Sequence, residues 1–123
     1  MMRLRARGRT GHTPGHMNKA EQRYAQHLEL RRHTESEVFR IDAYWFEPVG
    51  LRLAKKTFYH PDFMVVLASG LVEFHEVKGH WEDDARVKIK VAANTYPHFR
   101  FLAVTARSKK DGGGWVVEEI QPT

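Results

Sequence analysis

Two kinds of hydrophobic spacing divide this chain. From Asn18 the stretch NKAEQRYAQHLELRRH brings Ala20, Tyr24, Ala25 and Leu28 to one face at helical spacing, which predicts an amphipathic helix. Asn18 suits an N-cap, and Glu21 stands at the N3 place of a capping box. After this helix the period shortens. EVFRIDAYWFEPVG and LRLAKKTFYHPDFMVVLA are rich in aromatic and β-branched residues with partial alternation and read as strands, broken at Pro48 and Gly50, with a turn at Lys55–Lys56. LVEFHEVKG is a further strand. WEDDARVKIKVAANTYP returns to a helix, capped by one of its acidic residues and stopped before Pro97. FRFLAVTA is a strand, RSKKDGGG a loop and WVVEEI a last strand. The order α-β-β-β-α-β-β, with no internal repeat, predicts an α/β domain: one mixed sheet with helices packed on it.

The strands at 58–67 and 71–78 are expected to pair as a hairpin. A three-residue loop, Ala68-Ser69-Gly70, sets Leu67 opposite Leu71, and Gly70 can take the left-handed conformation such loops need. Counting outward, Val66 meets Val72, Met64 meets Phe74 and Asp62 meets Glu76, and alternation brings Asp62, Glu76 and Lys78 to the same side. Directly opposed Cβ atoms lie about 4.5–5.5 Å apart, so two carboxylates there repel each other and resist joint ionisation. A divalent cation between them reverses that argument, and hard oxygen ligands suit Mg²⁺ or Mn²⁺. An ammonium at Lys78 would orient or help deprotonate an attacking water, or offset charge on a phosphate, while the metal lowers the pKa of its bound water. Taken singly, Pro-Asp or Glu-x-Lys marks no more than a solvated face. Their order, the closing hairpin and the apolar neighbours together predict metal-dependent phosphodiester hydrolysis, with Asp62 and Glu76 as metal ligands and Lys78 as the catalytic amine.

Composition changes the picture in two ways. Lys and Arg total 20 against 15 Asp and Glu, giving a net charge of +5, and the pI is near 9.7, which points to a polyanionic partner, nucleic acid being the commonest. The absence of cysteine rules out a disulfide or thiolate site and makes the reducing cytosol the expected compartment. The basic start MMRLRARGRT is followed by no apolar segment, so no secretory signal is expected, and every apolar run is too short and too charged to span a membrane. Residues 1–17 read as a flexible basic arm in which Arg3, Arg5, Arg7 and Arg9 either track phosphates or belong to a disordered start.

Other residues draw weaker readings. Arg86 and Lys90 share a helical face, with Lys88 between them, and serve as DNA-phosphate candidates or as a solvated face. Glu21 either caps its helix or, from the inward face, reaches a metal site. The eight histidines are scattered without ligand spacing, so zinc is not expected. His60 and His75 flank the acidic residues as strand positions, and His80 is placed to touch DNA. Trp81 reads as packing, Tyr44, Trp45 and Phe46 as core, and KKDGGGW as a flexible loop rather than a phosphate cradle, because a strand follows it.

Pro61-Asp62 followed by Glu76-Val77-Lys78 resembles the signature of the PD-(D/E)xK nuclease superfamily. YHPDF and EVKGHWEDDARVKIK are similar to the core of the phage endonuclease I group of Holliday-junction resolvases and to related small phage and prophage proteins. The resemblance runs from about Asn18 to Ala106 and is specific over Phe58–Lys90. It implies a restriction-endonuclease-like mixed sheet flanked by helices, in a single domain over 18–123. It implies a Mg²⁺-dependent endonuclease, with Mn²⁺ able to substitute, acting on four-way or branched DNA in phage recombination or packaging, in the cytoplasm of a bacterial host. Glu21, Asp62, Glu76 and Lys78 would be catalytic, and Glu21 would match an acidic residue near the metals. A homodimer formed by exchange of elements is implied too, which would bring Glu21 within reach of the partner's site. The basic arm and the C-terminal KKDGGGWVVEEI depart from that pattern, which weakens junction selectivity more than the chemistry. A duplex nuclease of repair or restriction type, a DNA-binding module with a decayed site and a structural phage protein are the rival readings.

Overall fold

The computed structural model describes the backbone of Met2–Arg3 and residues 15–123. Its elements are β1 (Met2–Arg3), α1 (Lys19–Arg32), β2 (Ile41–Phe46), β3 (Leu51–Ala54), β4 (Thr57–Tyr59), β5 (Phe63–Leu67), β6 (Val72–Lys78), α2 (Asp83–Thr95), β7 (Arg100–Ala106) and β8 (Trp115–Ile120). The chain is thus a mixed α/β fold. Five strands form the main sheet in the order β2-β5-β6-β7-β8, antiparallel throughout except for β6 and β7. Parallel neighbours need a long crossover, and α2 provides it.

The expectation of one sheet is corrected to two. The run 58–67 is broken at His60–Asp62, and its first part, β4, leaves to form a small sheet with β3 and β1. Pro61 is the physical cause: it has no N–H to donate to a ladder, so continuous pairing through this point is lost. The Asp62 carbonyl accepts instead from the Glu47 N–H at 2.8 Å, just past the end of β2. Met2 and Arg3, from the expected N-terminal arm, run parallel to Thr57 and Phe58. Arg5, Arg7 and Arg9, and the side chain of Arg3, lie outside the described residues.

Helix α1 begins as its sequence requires: the Asn18 side chain accepts from the Glu21 N–H, and the Glu21 carboxylate accepts from the Asn18 N–H. Helix α2 departs from expectation. Glu82 occupies the N-cap but makes no side-chain capping bond; Asp84 instead accepts from the Ala85 N–H at 3.0 Å, and Asp83 and Asp84 also favour this end through the helix dipole. The two helices cover opposite faces of the main sheet. Tyr24 and Leu28 of α1 pack with Ile41, Phe63, Val65, Val77 and Val104. Ile89, Ala92 and Ala93 of α2 pack with Phe74, Phe101, Ala103 and Ile120, and with Leu51 and Tyr59 from the small sheet. Full burial of a side chain the size of Leu28 stabilises by about 1.5–3 kcal/mol, so these contacts set the helix positions more than local propensity does. The reading of Trp45 as core is corrected: it is exposed, while Tyr44 and Phe46 are half-buried against the α1-side core, because alternation turns only every second residue of β2 inward.

Candidate functional site

The hairpin closes in the register counted from the sequence. Val66 pairs with Val72, Met64 with Phe74 and Phe63 with His75. Gly70, at φ +93°, completes the three-residue loop, and the Gly70 N–H donates to the Leu67 carbonyl at 2.8 Å. The paired register ends at Phe63 and His75, and Asp62, just before β5, reaches Glu76 through a hydrogen bond from its N–H instead of as a ladder pair. Both carboxylates are buried, Asp62 at 0% and Glu76 at 4% relative exposure.

Burial of two acids demands donors, and the backbone supplies several. The Val77 N–H donates to Asp62 Oδ2 at 2.8 Å. Glu76 Oε1 accepts from the Tyr59 hydroxyl at 2.9 Å and from the Asp62 N–H at 3.2 Å. Lys78 Nζ lies 3.3 Å from Glu76 Oε2, with its side chain 12% exposed. Phe74, Glu76 and Lys78 alternate along β6, so the acid and the amine share the face that packs against α2 and the small sheet. Tyr59 was legible only as a strand aromatic. Its role follows from the break at Pro61, which swings β4 across the end of β6.

Among the described residues no group of three or more His, Asp or Glu stands close enough to hold a metal. The protein donors at this site are the two carboxylates. Mg²⁺ is commonly held by one or two carboxylates and completes its shell with water and phosphate oxygens, so this donor set fits it. Glu21 does not join Asp62 and Glu76 in such a group. It is fully buried in the first turn of α1, where its Oε1 accepts from the Asn18 N–H at 2.9 Å.

The basic candidates on α2 separate. Arg86 is matched by Glu118, at 2.9 Å, and lies over the Trp81 ring at 5.8 Å, which confirms Trp81 as a packing residue. Lys88 is half-buried and Lys90 exposed. His80 is exposed beyond Gly79.

His75 points away from the site, to the face covered by α1, and is completely buried. The Tyr24 hydroxyl lies 2.6 Å from its Nδ1, Glu73 Oε1 lies 2.9 Å from its Nε2, and Arg100 lies 2.8 Å from Glu73 Oε2. Burial holds the His75 imidazole below its ordinary 6.5, so the neutral ring accepts a hydrogen bond from the Tyr24 hydroxyl at Nδ1 and donates one from Nε2 to the Glu73 carboxylate. Burial pushes Glu73 up, but the His75 hydrogen bond and the Arg100 charge outweigh it, and the net direction is down. Burial pushes the Tyr24 phenol up and the His27 imidazole down. A cavity of about 360 Å³ bordered by Tyr24, His75, Arg100 and Phe39 opens on this side.

Compared with known proteins, the chain matches no family model, no curated protein and no solved structure. What the geometry offers is two buried carboxylates, a tyrosine hydroxyl and an ammonium gathered at one end of β6. Among the described residues no helix is long and apolar enough to cross a membrane.

Proposed function

We propose that this chain is a Mg²⁺-dependent endonuclease of the PD-(D/E)xK type that hydrolyses DNA phosphodiesters, with branched DNA such as a four-way junction as its substrate. The observation that carries this reading is the meeting of buried Asp62 and Glu76, with the Asp62 N–H donating to Glu76 at 3.2 Å, the Val77 N–H donating to Asp62 at 2.8 Å, and Lys78 3.3 Å from Glu76. Removing two carboxylates from water costs several kcal/mol per ion, which the hydrogen bonds to Asp62 and Glu76 and the Lys78 charge offset here, so the site keeps two acids and an amine together in a buried, ordered place. The match of Pro61-Asp62 and Glu76-Val77-Lys78 to the nuclease signature, and the +5 net charge, favour DNA over other phosphodiesters.

Asp62 and Glu76 would hold the metal, with Mn²⁺ an acceptable substitute. When bound, the metal activates a water and polarises the phosphoryl oxygen. The chain's own groups set the rest. Tyr59 and the Asp62 N–H fix the Glu76 carboxylate, and the Val77 N–H fixes Asp62. Lys78 stands where its ammonium can offset negative charge building on the phosphate. Paired cuts in a junction need two sites, which favours a homodimer, and Glu21 would act in the partner's site if the dimer exchanges elements. A phage origin, and with it the cytoplasm of a bacterial host, follows from the same resemblance.

The test is a cleavage assay with Mg²⁺ on two labelled substrates of matched sequence, a four-way junction and a linear duplex, with Lys78→Ala beside the wild type. Paired cuts near the branch point, lost in the variant, are expected. Equal cutting of both substrates would move the reading to a general duplex nuclease with the same site. Binding without cutting of either would overturn the enzyme reading.

A further inference from the structure

We infer that the loop joining β7 to β8 is a phosphate-contacting element that holds the DNA strand on one side of the Lys78 site; this deepens the nuclease reading and rests on it. The placement follows from the sheet. Lys78, the last residue of β6, pairs with Thr105 on parallel β7, and Ala106 pairs with Trp115 on β8. The segment between them, 107–114, therefore leaves the sheet at the end where Asp62, Glu76 and Lys78 gather. At about 3.3 Å per residue along a strand and 4.8 Å between strands, Arg107 begins roughly 8 Å from Lys78. In open α/β sheets ligands gather at the carboxyl ends of parallel strands, and this is that end for β6 and β7.

The loop carries Arg107, Lys109 and Lys110 against a single acid, Asp111, and all four are exposed. Asp111 is turned back on the loop: its carboxylate accepts from the Ser108 hydroxyl at 2.9 Å, and its carbonyl accepts from Arg107 at 2.7 Å. Lys109 and Lys110 form no ion pair among the described residues. The loop has a definite shape, a 3₁₀ turn over Lys109–Asp111 followed by Gly112, Gly113 and Gly114, all at positive φ. No side chain projects from those three glycines, so a phosphate backbone can come close. At the start of α2, Glu82, Asp83 and Asp84 stand exposed and Arg86 is matched by Glu118, so that end of the helix offers phosphates little net positive charge beside Lys109 and Lys110.

The experiment measures binding of a labelled junction across a salt series, with Ca²⁺ in place of Mg²⁺ to suppress cleavage. Lys109→Gln/Lys110→Gln is compared with the wild type and with Lys55→Gln/Lys56→Gln. The latter removes the same charge at the β3–β4 turn, at the far end of β4 from Tyr59. Thermal melting checks that each variant is folded. The loop variant is expected to bind tens of fold more weakly at about 0.1 M salt and to lower the slope of log affinity against log salt by about 2, with the control near wild type. Wild-type binding left unchanged by the loop substitutions, or weakened equally by the control, would overturn the inference. A wild type that binds no DNA at any salt would overturn the nuclease reading itself.

Discussion

The main-chain N–H of Asp62 donates to the Oε1 of Glu76 at 3.2 Å, so the two acids are joined through the backbone of one and the side chain of the other. This link sets the orientation of Glu76 relative to the start of β5, and a side-chain change at position 62 leaves it in place. Fold and chemistry at position 62 can therefore be separated by substitution.

Asp62→Asn keeps an oxygen for the Val77 N–H, whereas Asp62→Ala leaves that buried donor without its acceptor. Alanine is expected to cost about 1–3 kcal/mol of stability and asparagine clearly less, while both lose Mn²⁺ binding. Denaturant unfolding with calorimetric Mn²⁺ titration checks this. Wild-type titration heats in either variant would remove Asp62 from the ligand set.

Tyr59→Phe deletes one of the donors to Glu76 without opening a cavity. The expected loss is about 0.5–1.5 kcal/mol in stability and a drop in cleavage rate with DNA affinity kept. Unchanged turnover in a folded variant would show that the hydroxyl has no part in orienting the carboxylate.

Glu21 is the residue where cap and chemistry overlap. Glu21→Gln retains an acceptor for the Asn18 N–H, and Glu21→Ala does not, at a cost of about 1 kcal/mol. If Glu21 only caps, the glutamine variant keeps both stability and cleavage. A folded glutamine variant that cannot cleave assigns Glu21 to the site, and mixing it with Lys78→Ala protein then tests whether it serves a partner: restored cutting in the mixture requires sites built from two chains.

Stability should fall as the solution is acidified below neutrality. His75 and His27 are both held below their ordinary 6.5 in the fold, His75 facing Tyr24, His27 and Arg31 from α1, Glu73 from its own strand and Arg100 from β7. The unfolded chain then binds more protons below about pH 6.5, so the stability these rings contribute is present above that value and is lost as pH falls toward their lowered folded values. The expected result is a melting temperature that is level from pH 8 to about 7 and declines toward pH 5, less steeply in His75→Gln. A melting temperature that rises on acidification would contradict the burial of a neutral ring.

Much of this arrangement is legible in the sequence. Gly70 and the alternation on either side of it set the β5–β6 register, and with it the meeting of Asp62 and Glu76, because hairpin pairing is local. The Asn18–Glu21 capping box was readable for the same reason. What was hidden depends on contacts distant in the chain. Nothing around Tyr59 announces that Pro61 sends its strand to a second sheet and its hydroxyl to Glu76. The partner of Arg86, Glu118, lies 32 residues away, and so its loss as a free cation could not be foreseen. His75 looked like a neighbour of the site because it adjoins Glu76, yet strand alternation turns it to the opposite face.

The most direct test of the central claim is the single-turnover cleavage rate of a labelled four-way junction by purified protein, measured with Mg²⁺, with chelator, and with folded Asp62→Asn in Mg²⁺. The account predicts cleavage only by the wild type in Mg²⁺. Cleavage that persists in chelator or in the asparagine variant, or no cleavage by the wild type with either Mg²⁺ or Mn²⁺, would contradict it.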